Sequence, residues 1–482
     1  MLMSTLLTWV LLGLYLFIVA GTVVAVILEN RQPERTIAWV VAIILLPFIG
    51  LIFFYFFGQN IRSKHRRRRY HHDTKHSELL SKTNDTKAYE TSDSFFPLKR
   101  LCSEEFGAPL LPLEQIDLIE SGRDFFTLLI EACDKAVHHI YIETYIIEDD
   151  EAVKPICEAL IAAAQRGVDV RLLYDDVGCW RVSNRFFNHL QRGGVKVAAF
   201  MPVHFPSLTH KINYRNHRKV AIVDDSFGFI GGMNLAQRYL GSKENAWRDL
   251  HARLTGQVVL QLTEVFLSDW AYVTESATAY AEKYGVAYGI PLPRVSVSPE
   301  RGWVQIVKSD PLSAVPQLLT AYTWAAMHAR DYLYIQTPYF MPTESFLQAI
   351  KTAAMIGADV RVMMPRKPDG KMLRRINDSY VSELLSAGVR VYQYEGGFLH
   401  TKSIIVDDLW CSIGSANMDF RSFLNNIEIA ALIYDKDTAE KVRLGFERDI
   451  KQSREILLAR WSERGLHRRF VESITRILSP LF

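Results

Sequence analysis

Two histidine–lysine pairs in this sequence have the residue types and the spacing that phosphate chemistry requires. His400 and Lys402 are two positions apart in a run of strand-forming residues, so their side chains share one face of a strand. A histidine can act as a nucleophile or a proton shuttle, and a lysine supplies a positive charge for phosphoryl oxygens. Taken alone, the pair is more commonly explained by a buried histidine next to a solvated lysine.

The whole motif around this pair occurs twice with identical spacing. Each copy contains a histidine, a lysine, an aspartate, two small residues and an asparagine. In chain order the members are His217, Lys219, Asp224, Gly231, Gly232 and Asn234, and then His400, Lys402, Asp407, Gly414, Ser415 and Asn417. Because coincidence over so many fixed offsets is improbable, the sequence predicts that both copies contribute to one functional site.

The two motifs belong to a long internal repeat. The other matching segments are 140–144 with 333–337, 167–171 with 357–361, and 194–197 with 388–391. Strand-like segments alternate with helical ones such as 155–166 and 344–356, which predicts α/β layers around a parallel or mixed sheet. We therefore expect two duplicated α/β domains, residues 101–295 and 296–482, that face each other about a pseudo-twofold axis and share one cleft.

Residues 1–60 are strongly apolar and predict two transmembrane helices. The uncharged runs 6–28 and 36–57 are each long enough to cross a hydrocarbon core, and Pro47 is tolerable in such a helix. A cleaved signal peptide requires a basic segment before its apolar run, and no such segment precedes the first run. Residues 61–100 are expected to form a basic juxtamembrane segment and a polar linker.

The position of the basic residues predicts the orientation in the membrane. Residues 62–69 contain six lysines and arginines directly after the second run. The positive-inside rule then places both termini and the catalytic domains on the cytoplasmic side of a multi-pass cell-membrane protein. The same segment is expected to attract anionic lipids.

Composition excludes several other classes of protein. A chain of 482 residues that is 49% hydrophobic is suited to two or three domains. The net charge is only +3, and the basic run alone exceeds it, so the remaining chain is not a broadly basic nucleic-acid-binding surface. The five cysteines form no Cys-x-x-Cys pair, which argues for a reduced compartment and against a disulfide framework or a zinc site.

These motifs resemble the phospholipase D superfamily, whose signature is His-x-Lys-x4-Asp followed by Gly-[Gly/Ser]-x-Asn. Both copies match it completely, and the resemblance covers roughly residues 110–456. The two leading apolar runs and the segments 337–340, 395–402 and 478–482 look like bacterial cardiolipin synthases. The resemblance implies an enzyme without metal or other cofactor that joins two phosphatidylglycerol molecules into cardiolipin and releases glycerol.

The resemblance also implies a role for each motif residue. His217 would attack the phosphorus and form a phosphohistidine, while His400 would protonate the departing glycerol and then activate the incoming hydroxyl. Lys219 and Lys402 would hold the phosphoryl oxygens. The supporting positions in the motifs are Gly232, Asn234, Ser415 and Asn417.

Four carboxylates complete the candidate site. Asp249 and Glu428 stand at the family positions for groups that orient the histidines, and the sequence leaves open which carboxylate contacts which histidine. Asp224 and Asp407 belong to the catalytic motif, although holding the strand-to-turn structure is the more ordinary role for them.

Several alternatives remain open at this point. The motifs do not separate transfer from hydrolysis, so a phospholipase D-type phosphodiesterase that uses water is one alternative. A non-catalytic lipid-binding scaffold is another, against which two complete motifs argue, and a nuclease is disfavoured by the lack of a basic excess.

The expected partners are phosphatidylglycerol and anionic membrane lipids, with no nucleic acid. The amphipathic tail 467–482 predicts either a helix on a membrane surface or a helix packed on the second domain. The oligomeric state is open, with a homodimer among the compatible states.

Overall fold

The computed structural model describes residues 2–28, 33–46, 48–54, 93–203, 214–241, 247–274, 301–477 and 479. Most of the expected basic segment and linker, residues 61–92, lies outside this part of the chain. The helices described are α1 (Leu2–Leu28), α2 (Pro33–Leu45), α3 (Ile49–Phe53), α4 (Phe96–Glu104), α5 (Gly122–Lys135), α6 (Lys154–Gln165), α7 (Asn184–Arg192), α8 (Gln257–Thr274), α9 (Gln317–Met327), α10 (Glu344–Met355), α11 (Lys371–Ser386), α12 (Phe420–Leu424), α13 (Lys436–Ile450), α14 (Leu458–Ser462) and α15 (Leu466–Ile477).

The strands form two large mixed sheets and two short pairs. They are β1 (Leu111–Pro112), β2 (Gln115–Ile119), β3 (His139–Thr144), β4 (Asp169–Asp175), β5 (Lys196–Phe200), β6 (Val220–Val223), β7 (Phe227–Gly231), β8 (Trp247–Arg248), β9 (His251–Thr255), β10 (Trp303–Ser309), β11 (Tyr332–Gln336), β12 (Phe340–Met341), β13 (Asp359–Pro365), β14 (Arg390–Tyr394), β15 (Phe398–Leu399), β16 (Ser403–Val406), β17 (Trp410–Gly414), β18 (Met418–Asp419), β19 (Glu428–Tyr434) and β20 (Ser453–Ile456).

The two large sheets have the same topology, which confirms the predicted duplication. The first domain has the order β2-β9-β7-β6-β3-β4-β5, and the second contains the equivalent series β10-β19-β17-β16-β11-β13-β14. In both series the last three strands are parallel and the others antiparallel. Helices α6 and α7 connect the parallel strands of the first domain, and α10 and α11 those of the second.

The motif strands β6 and β16 lie at the centre of their sheets and are buried along their whole length. Each ends in a tight turn of two aspartates with positive φ, Asp224–Asp225 and Asp407–Asp408. Aspartate is among the few residues that tolerate this left-handed conformation, and two such residues in succession suit the turn between twisted antiparallel strands.

Apolar residues from both sheets form a shared core between the two domains. Ile222 and Ile230 of the first sheet belong to the same buried cluster as Ile405 and Ile413 of the second, together with residues of α8 and α13. Further clusters lie within each domain. Burial of this interface fixes how the two motif strands face each other.

The boundary between the domains differs from the expected one. Strand β1 pairs with β10 at the edge of the second sheet, and Cys102 of α4 lies in the core of the second domain. Residues 96–112 therefore pack on the second domain, whereas the sequence assigned them to the linker and the first domain. Periodicity predicts an element but not which of two similar sheets it covers.

The N-terminal helices support the membrane prediction in part. Among the described residues one helix, Thr5–Leu28, is long and apolar enough to cross a membrane, with a mean hydropathy of 2.7. The second apolar run is divided into α2 and α3 by Phe48, whose φ is 62°. The rings of Trp39 and Phe54 lie 5.5 Å apart, although a straight helix would separate these residues by about 22 Å. The chain therefore doubles back between α2 and α3.

We predict that Gln305→Leu detaches α4 from the second domain. The Gln305 Nε2 lies 3.0 Å from Lys99 O and 2.8 Å from Ala108 O, and Tyr434 donates to its Oε1 at 2.8 Å. Because leucine leaves these buried groups unpaired, we expect the free energy of unfolding to fall by about 1–3 kcal/mol. Native-state proteolysis should accelerate within residues 93–112. The exposed Gln348→Leu is the control, and equal cleavage in both variants would contradict this packing.

Candidate active site

The segments that lead into the two motifs are paired across the domain interface in a reciprocal way. The His217 N–H donates to Ile427 O at 2.9 Å, and the His400 N–H donates to Arg248 O at 2.7 Å. Ile427 and Arg248 immediately precede Glu428 and Asp249. This exchange is the pattern expected of two halves related by a pseudo-twofold axis, and it brings each histidine to a carboxylate of the other domain.

The first histidine is held by the second domain. His217 Nδ1 lies 3.0 Å from Glu428 Oε2 and 3.1 Å from Ser415 O. Glu428 is fully buried at the start of β19. A carboxylate at Nδ1 fixes the ring orientation and leaves Nε2 as the nitrogen for chemistry.

The second histidine is held by the first domain. His400 Nδ1 lies 2.5 Å from Asp249 Oδ2, and the Tyr239 hydroxyl is 3.2 Å from the same nitrogen. Asp249 is fully buried. The carboxylate–histidine pairs are therefore crossed between the domains, which answers the question that the sequence left open.

The two lysines turn their ammonium groups toward the histidine backbone. Lys219 Nζ donates to His217 O at 2.6 Å, and Lys402 Nζ donates to His400 O. Burial lowers the pKa of Lys219 to about 7 and that of Lys402 to about 8. Near neutral pH each lysine is therefore close to losing its charge, and an anion bound nearby would stabilise the charged form.

Burial also keeps the two histidines neutral. It lowers the pKa of His217 to about 4, although Glu428 opposes the shift. It lowers the pKa of His400 to about 3, where Lys402 adds to the effect and Asp249 opposes it. A neutral imidazole has a free electron pair, so His217 is in the protonation state that a nucleophile needs.

The carboxylates remain ionised in the same environment. Burial on its own raises the pKa of Glu428, but His217 and Lys219 outweigh it and bring the pKa below its usual range. The pKa of Asp249 is lowered in the same way, because Lys402 and His400 outweigh burial. Both groups can therefore stabilise positive charge that develops on the imidazoles.

The equivalent small residues Gly232 and Ser415 contact the carboxylates in different ways. A Cβ on Gly232 would lie 2.2 Å from Asp249 Oδ1, so the glycine makes room for that carboxylate. Ser415 stands at the equivalent position and donates its hydroxyl to Glu428 Oε2 at 2.5 Å.

The two asparagines also differ in their partners. Asn234 donates to the Tyr239 hydroxyl at 3.1 Å and accepts from Ile146 N at 3.1 Å. The buried Asn417 Oδ1 has no hydrogen-bond partner among the described residues.

Asp224 and Asp407 bind backbone groups at the start of a neighbouring strand in each domain. Asp224 accepts backbone N–H groups of residues 137–139 at 2.7–2.8 Å, and Asp407 accepts those of residues 330–332 at 2.8–2.9 Å. Both carboxylates lie at the end of the motif strand opposite to the histidine, about 20 Å along an extended chain. These contacts support the strand-to-turn role.

Sequence reasoning missed a buried layer of residues beneath the site. Arg215, directly before the first motif, forms a buried ion pair with Asp175 at 2.9 Å, and Arg218 pairs with Asp269. Tyr239 contacts His400, as described above. Asp175 ends a parallel strand, where ligand sites collect, and Asp269 is a charge within an apolar helix. Both were signals that the sequence offered.

The comparison with solved structures agrees with this architecture. A phosphatidylserine synthase from Haemophilus influenzae Rd KW20 superimposes with a TM-score of 0.61 at 16% sequence identity. The match covers 80% of this chain and 100% of that chain, and it shows a common fold. With the duplicated motif, the fold defines an enzyme of the phospholipase D superfamily, which confirms the resemblance.

Sequence comparisons identify the family. The model described as "Cardiolipin synthase, PLD-like domain" matches residues 129–270 and 324–450, and "Phospholipase_D-nuclease N-terminal" matches residues 16–59. "Cardiolipin synthase 2" of Bacillus anthracis is 38% identical over 95% of this chain and 88% of its own length. "Cardiolipin synthase" of Geobacillus thermodenitrificans (strain NG80-2) is 35% identical over 98% and 94%, respectively. The chain belongs to the cardiolipin synthase family of phospholipase D-like proteins.

The scaffold role of Asp407 predicts a separation of stability from catalysis. Asp407→Ala removes three hydrogen bonds to backbone N–H groups, and we expect it to lower the free energy of unfolding by about 1–3 kcal/mol. The folded fraction should keep a KM within a few-fold of the original, because no site residue is lost. Denaturant unfolding and turnover of a phospholipid substrate measure the two effects. A loss of turnover at unchanged stability would return Asp407 to the catalytic set.

Proposed function

We propose that this enzyme condenses two phosphatidylglycerol molecules into cardiolipin and glycerol through a phosphohistidine intermediate. The observation that carries the proposal is the pair of histidines held by crossed carboxylates, each with a lysine, at the interface of two phospholipase D-like domains. The family named above and the expected membrane location make a lipid alcohol the acceptor.

In the first half-reaction His217 is the nucleophile. Its Nε2 forms a bond to the phosphorus of the first phosphatidylglycerol while the bond from phosphorus to the glycerol oxygen breaks. His400 gives a proton to that oxygen, and Asp249 stabilises the imidazolium from which the proton leaves. Because His400 is neutral in the free site, it takes up a proton from solvent when the anionic phosphodiester binds, since the negative charge raises the pKa of the ring.

In the second half-reaction the acceptor is a hydroxyl of the second phosphatidylglycerol. His400, now neutral, takes its proton as the oxygen attacks phosphorus and the phosphorus–nitrogen bond breaks. The products are cardiolipin and free His217. Glu428 stabilises the positive charge on the phosphorylated ring of His217, so the intermediate is held in place until the acceptor arrives.

Lys219 and Lys402 bind the phosphoryl oxygens in both halves of the reaction. Asn234 and Asn417 support them, and Gly232 and Ser415 shape the two carboxylate positions. Positive charge at this point stabilises the transition state, in which the equatorial oxygens carry the negative charge. The site thereby provides through side chains the charge that a metal ion supplies in other phosphoryl-transfer enzymes.

We also propose a cell-membrane location with the catalytic domains on the cytoplasmic side. Relatives of this family and the apolar α1 support membrane association. The orientation rests on the basic residues 62–69 and holds for one or two membrane passes. The multi-pass topology itself stays a prediction of the sequence.

The direct test uses purified protein in phosphatidylglycerol vesicles, with lipid products and glycerol measured together. We expect cardiolipin and glycerol in equal amounts. His217→Ala and His400→Ala should each lower turnover by about 10²–10⁴-fold or more. Phosphatidic acid and glycerol without cardiolipin would mean that water is the acceptor, and the absence of turnover with any phospholipid would favour a binding protein.

The same assay identifies the nucleophile when the donor carries a nitrophenyl group in place of glycerol. Nitrophenolate leaves without a proton, so His400→Ala should retain a burst of nitrophenolate, whereas His217→Ala should give none. The opposite pattern would exchange the two roles.

The lowered pKa values of the lysines predict the pH dependence. We expect kcat/KM, which reports the free enzyme, to fall as the pH rises through about 7–8, because Lys219 and Lys402 lose their protons there. Lys402→Arg keeps its charge over this range. It should lower activity and reduce the slope of the falling limb above about pH 8 from two protons to one, while the midpoint stays near the pKa of Lys219. A slope that is unchanged in this variant would show that a group other than Lys402 titrates there.

A further inference from the structure

The C-terminal helix α15 is amphipathic, but its polar side is buried and its apolar side is exposed. Its polar side faces the protein, where Glu472 and Thr475 are 3% and 7% exposed. Its apolar side faces outward, where Leu466, Phe470 and Ile477 are 80%, 65% and 68% exposed and Ile474 is also exposed. A helix that only packs on a domain buries its apolar side instead.

Ion pairs hold α15 in this orientation. Glu472 accepts from Arg464 and Arg468, and Arg468 also reaches Asp378 of α11 at 2.9 Å. Arg476 donates to Glu383 of α11 at 2.8 Å. Rotating the apolar side inward would break these pairs and place apolar side chains against Asp378, a buried carboxylate of α11, which is strongly unfavourable.

The outward face has the chemistry of a helix that lies in a membrane interface. Leu466, Phe470, Ile474 and Ile477 form one stripe along the helix, and the exposed His467 and Arg469 flank it on either side. Basic side chains at the edges of an apolar stripe can extend to lipid phosphates while the stripe enters the acyl region. A docking site for a protein partner does not require basic groups on both sides of an apolar stripe, whereas a docking site for an anionic bilayer uses them.

We propose that this face of α15 docks on an anionic lipid bilayer and gives the chain a membrane contact separate from α1. The apolar α1 brings the catalytic domains close to a bilayer, so docking is effectively intramolecular and needs little intrinsic affinity. The proposal concerns the membrane-facing surface and does not depend on which reaction the site catalyses.

Docking at α15 is connected to the candidate site through α11. Asn377, next to Asp378, accepts from Phe340 N at 2.9 Å and donates to Pro338 O at 3.1 Å. The adjacent Thr337 Oγ1 accepts from Met418 N at 3.1 Å, beside Asn417. Two layers of contacts therefore link the docked helix to the second motif, so a bilayer at α15 also positions this side of the cleft.

The test places an environment-sensitive fluorophore on this face in the full-length protein. All five cysteines are buried, so Phe470→Cys can be labelled selectively with a nitrobenzoxadiazole maleimide, and the unsubstituted protein checks this selectivity. In vesicles of phosphatidylglycerol and phosphatidylcholine we expect a blue-shifted emission that lipids with a spin-labelled acyl chain quench.

The matched control carries the same label at Leu444→Cys. Leu444 is also an exposed apolar residue on a helix, α13. Its neighbour Arg443 donates to Asp408, which follows the end of β16 that lies away from Lys402. Its emission should stay water-like and unquenched. Equal emission and quenching at both positions would overturn the proposal. The label at Phe470→Cys could instead show a blue shift that spin-labelled lipid does not quench and that disappears when the protein is diluted in lipid. That result would assign the face to a second copy of the chain.

A pair of double variants separates docking from folding. Phe470→Gln with Ile474→Gln should leave the unfolding midpoint unchanged, since both side chains are exposed, and should abolish quenching of a label at Leu466→Cys. The control, Leu409→Gln with Leu444→Gln, should preserve that quenching. Quenching that survives the first pair of substitutions would contradict docking through this stripe.

Discussion

The exchange of carboxylates between the two domains is the interaction on which the rest of this structure depends. Glu428 of the second domain holds His217, and Asp249 of the first holds His400. Neither domain contains a complete histidine–carboxylate pair by itself. The site therefore exists only when the domains are docked, and the apolar core shared by the two sheets is part of the catalytic apparatus as much as of the fold.

Burial gives the site its protonation state and also limits its stability. Two lysines and two carboxylates lie together away from water, an arrangement that is seldom as stable as an apolar core of the same volume. In return the imidazoles stay neutral and the lysines lie close to the point of losing their charge. An anionic phosphodiester reverses both tendencies, so the substrate itself completes the charge balance of the site.

The sequence predicted the repeat well because local residue patterns specify it. The spacing of the motif residues from His217 to Asn234 is the same as that from His400 to Asn417, and the alternation of strands and helices predicts duplicated α/β domains. The pairing of Glu428 with His217 could not be predicted, because Asp249 follows His217 by 32 residues and Glu428 follows His400 by 28, so proximity along the chain favours the uncrossed pairs. Long-range geometry, rather than residue type, decides that pairing.

The same limit explains the other differences between expectation and structure. A hydrophobic window over residues 36–57 has the length of a membrane span, but Phe48 in a left-handed conformation turns it into two short helices. Residues 96–112 have the pattern of a helix and a strand, yet the second sheet offers the edge that they cover. In each case local composition specifies an element, and its partner elsewhere in the chain specifies its place.

Transfer to a lipid rather than to water imposes a further constraint on this architecture. In the proposed mechanism, a phosphorylated His217 would survive long enough only if the second lipid is already confined near the cleft, because water is present wherever the site is open. Membrane anchoring supplies that confinement, and the buried position of both histidines restricts the access of water. An α15 that docks on the bilayer would add orientation, because the α11 contacts connect it to the segment beside Asn417. A membrane contact at the N-terminal α1 alone leaves the orientation of the domains open, whereas a docked α15 would decide which side of the cleft meets the lipids.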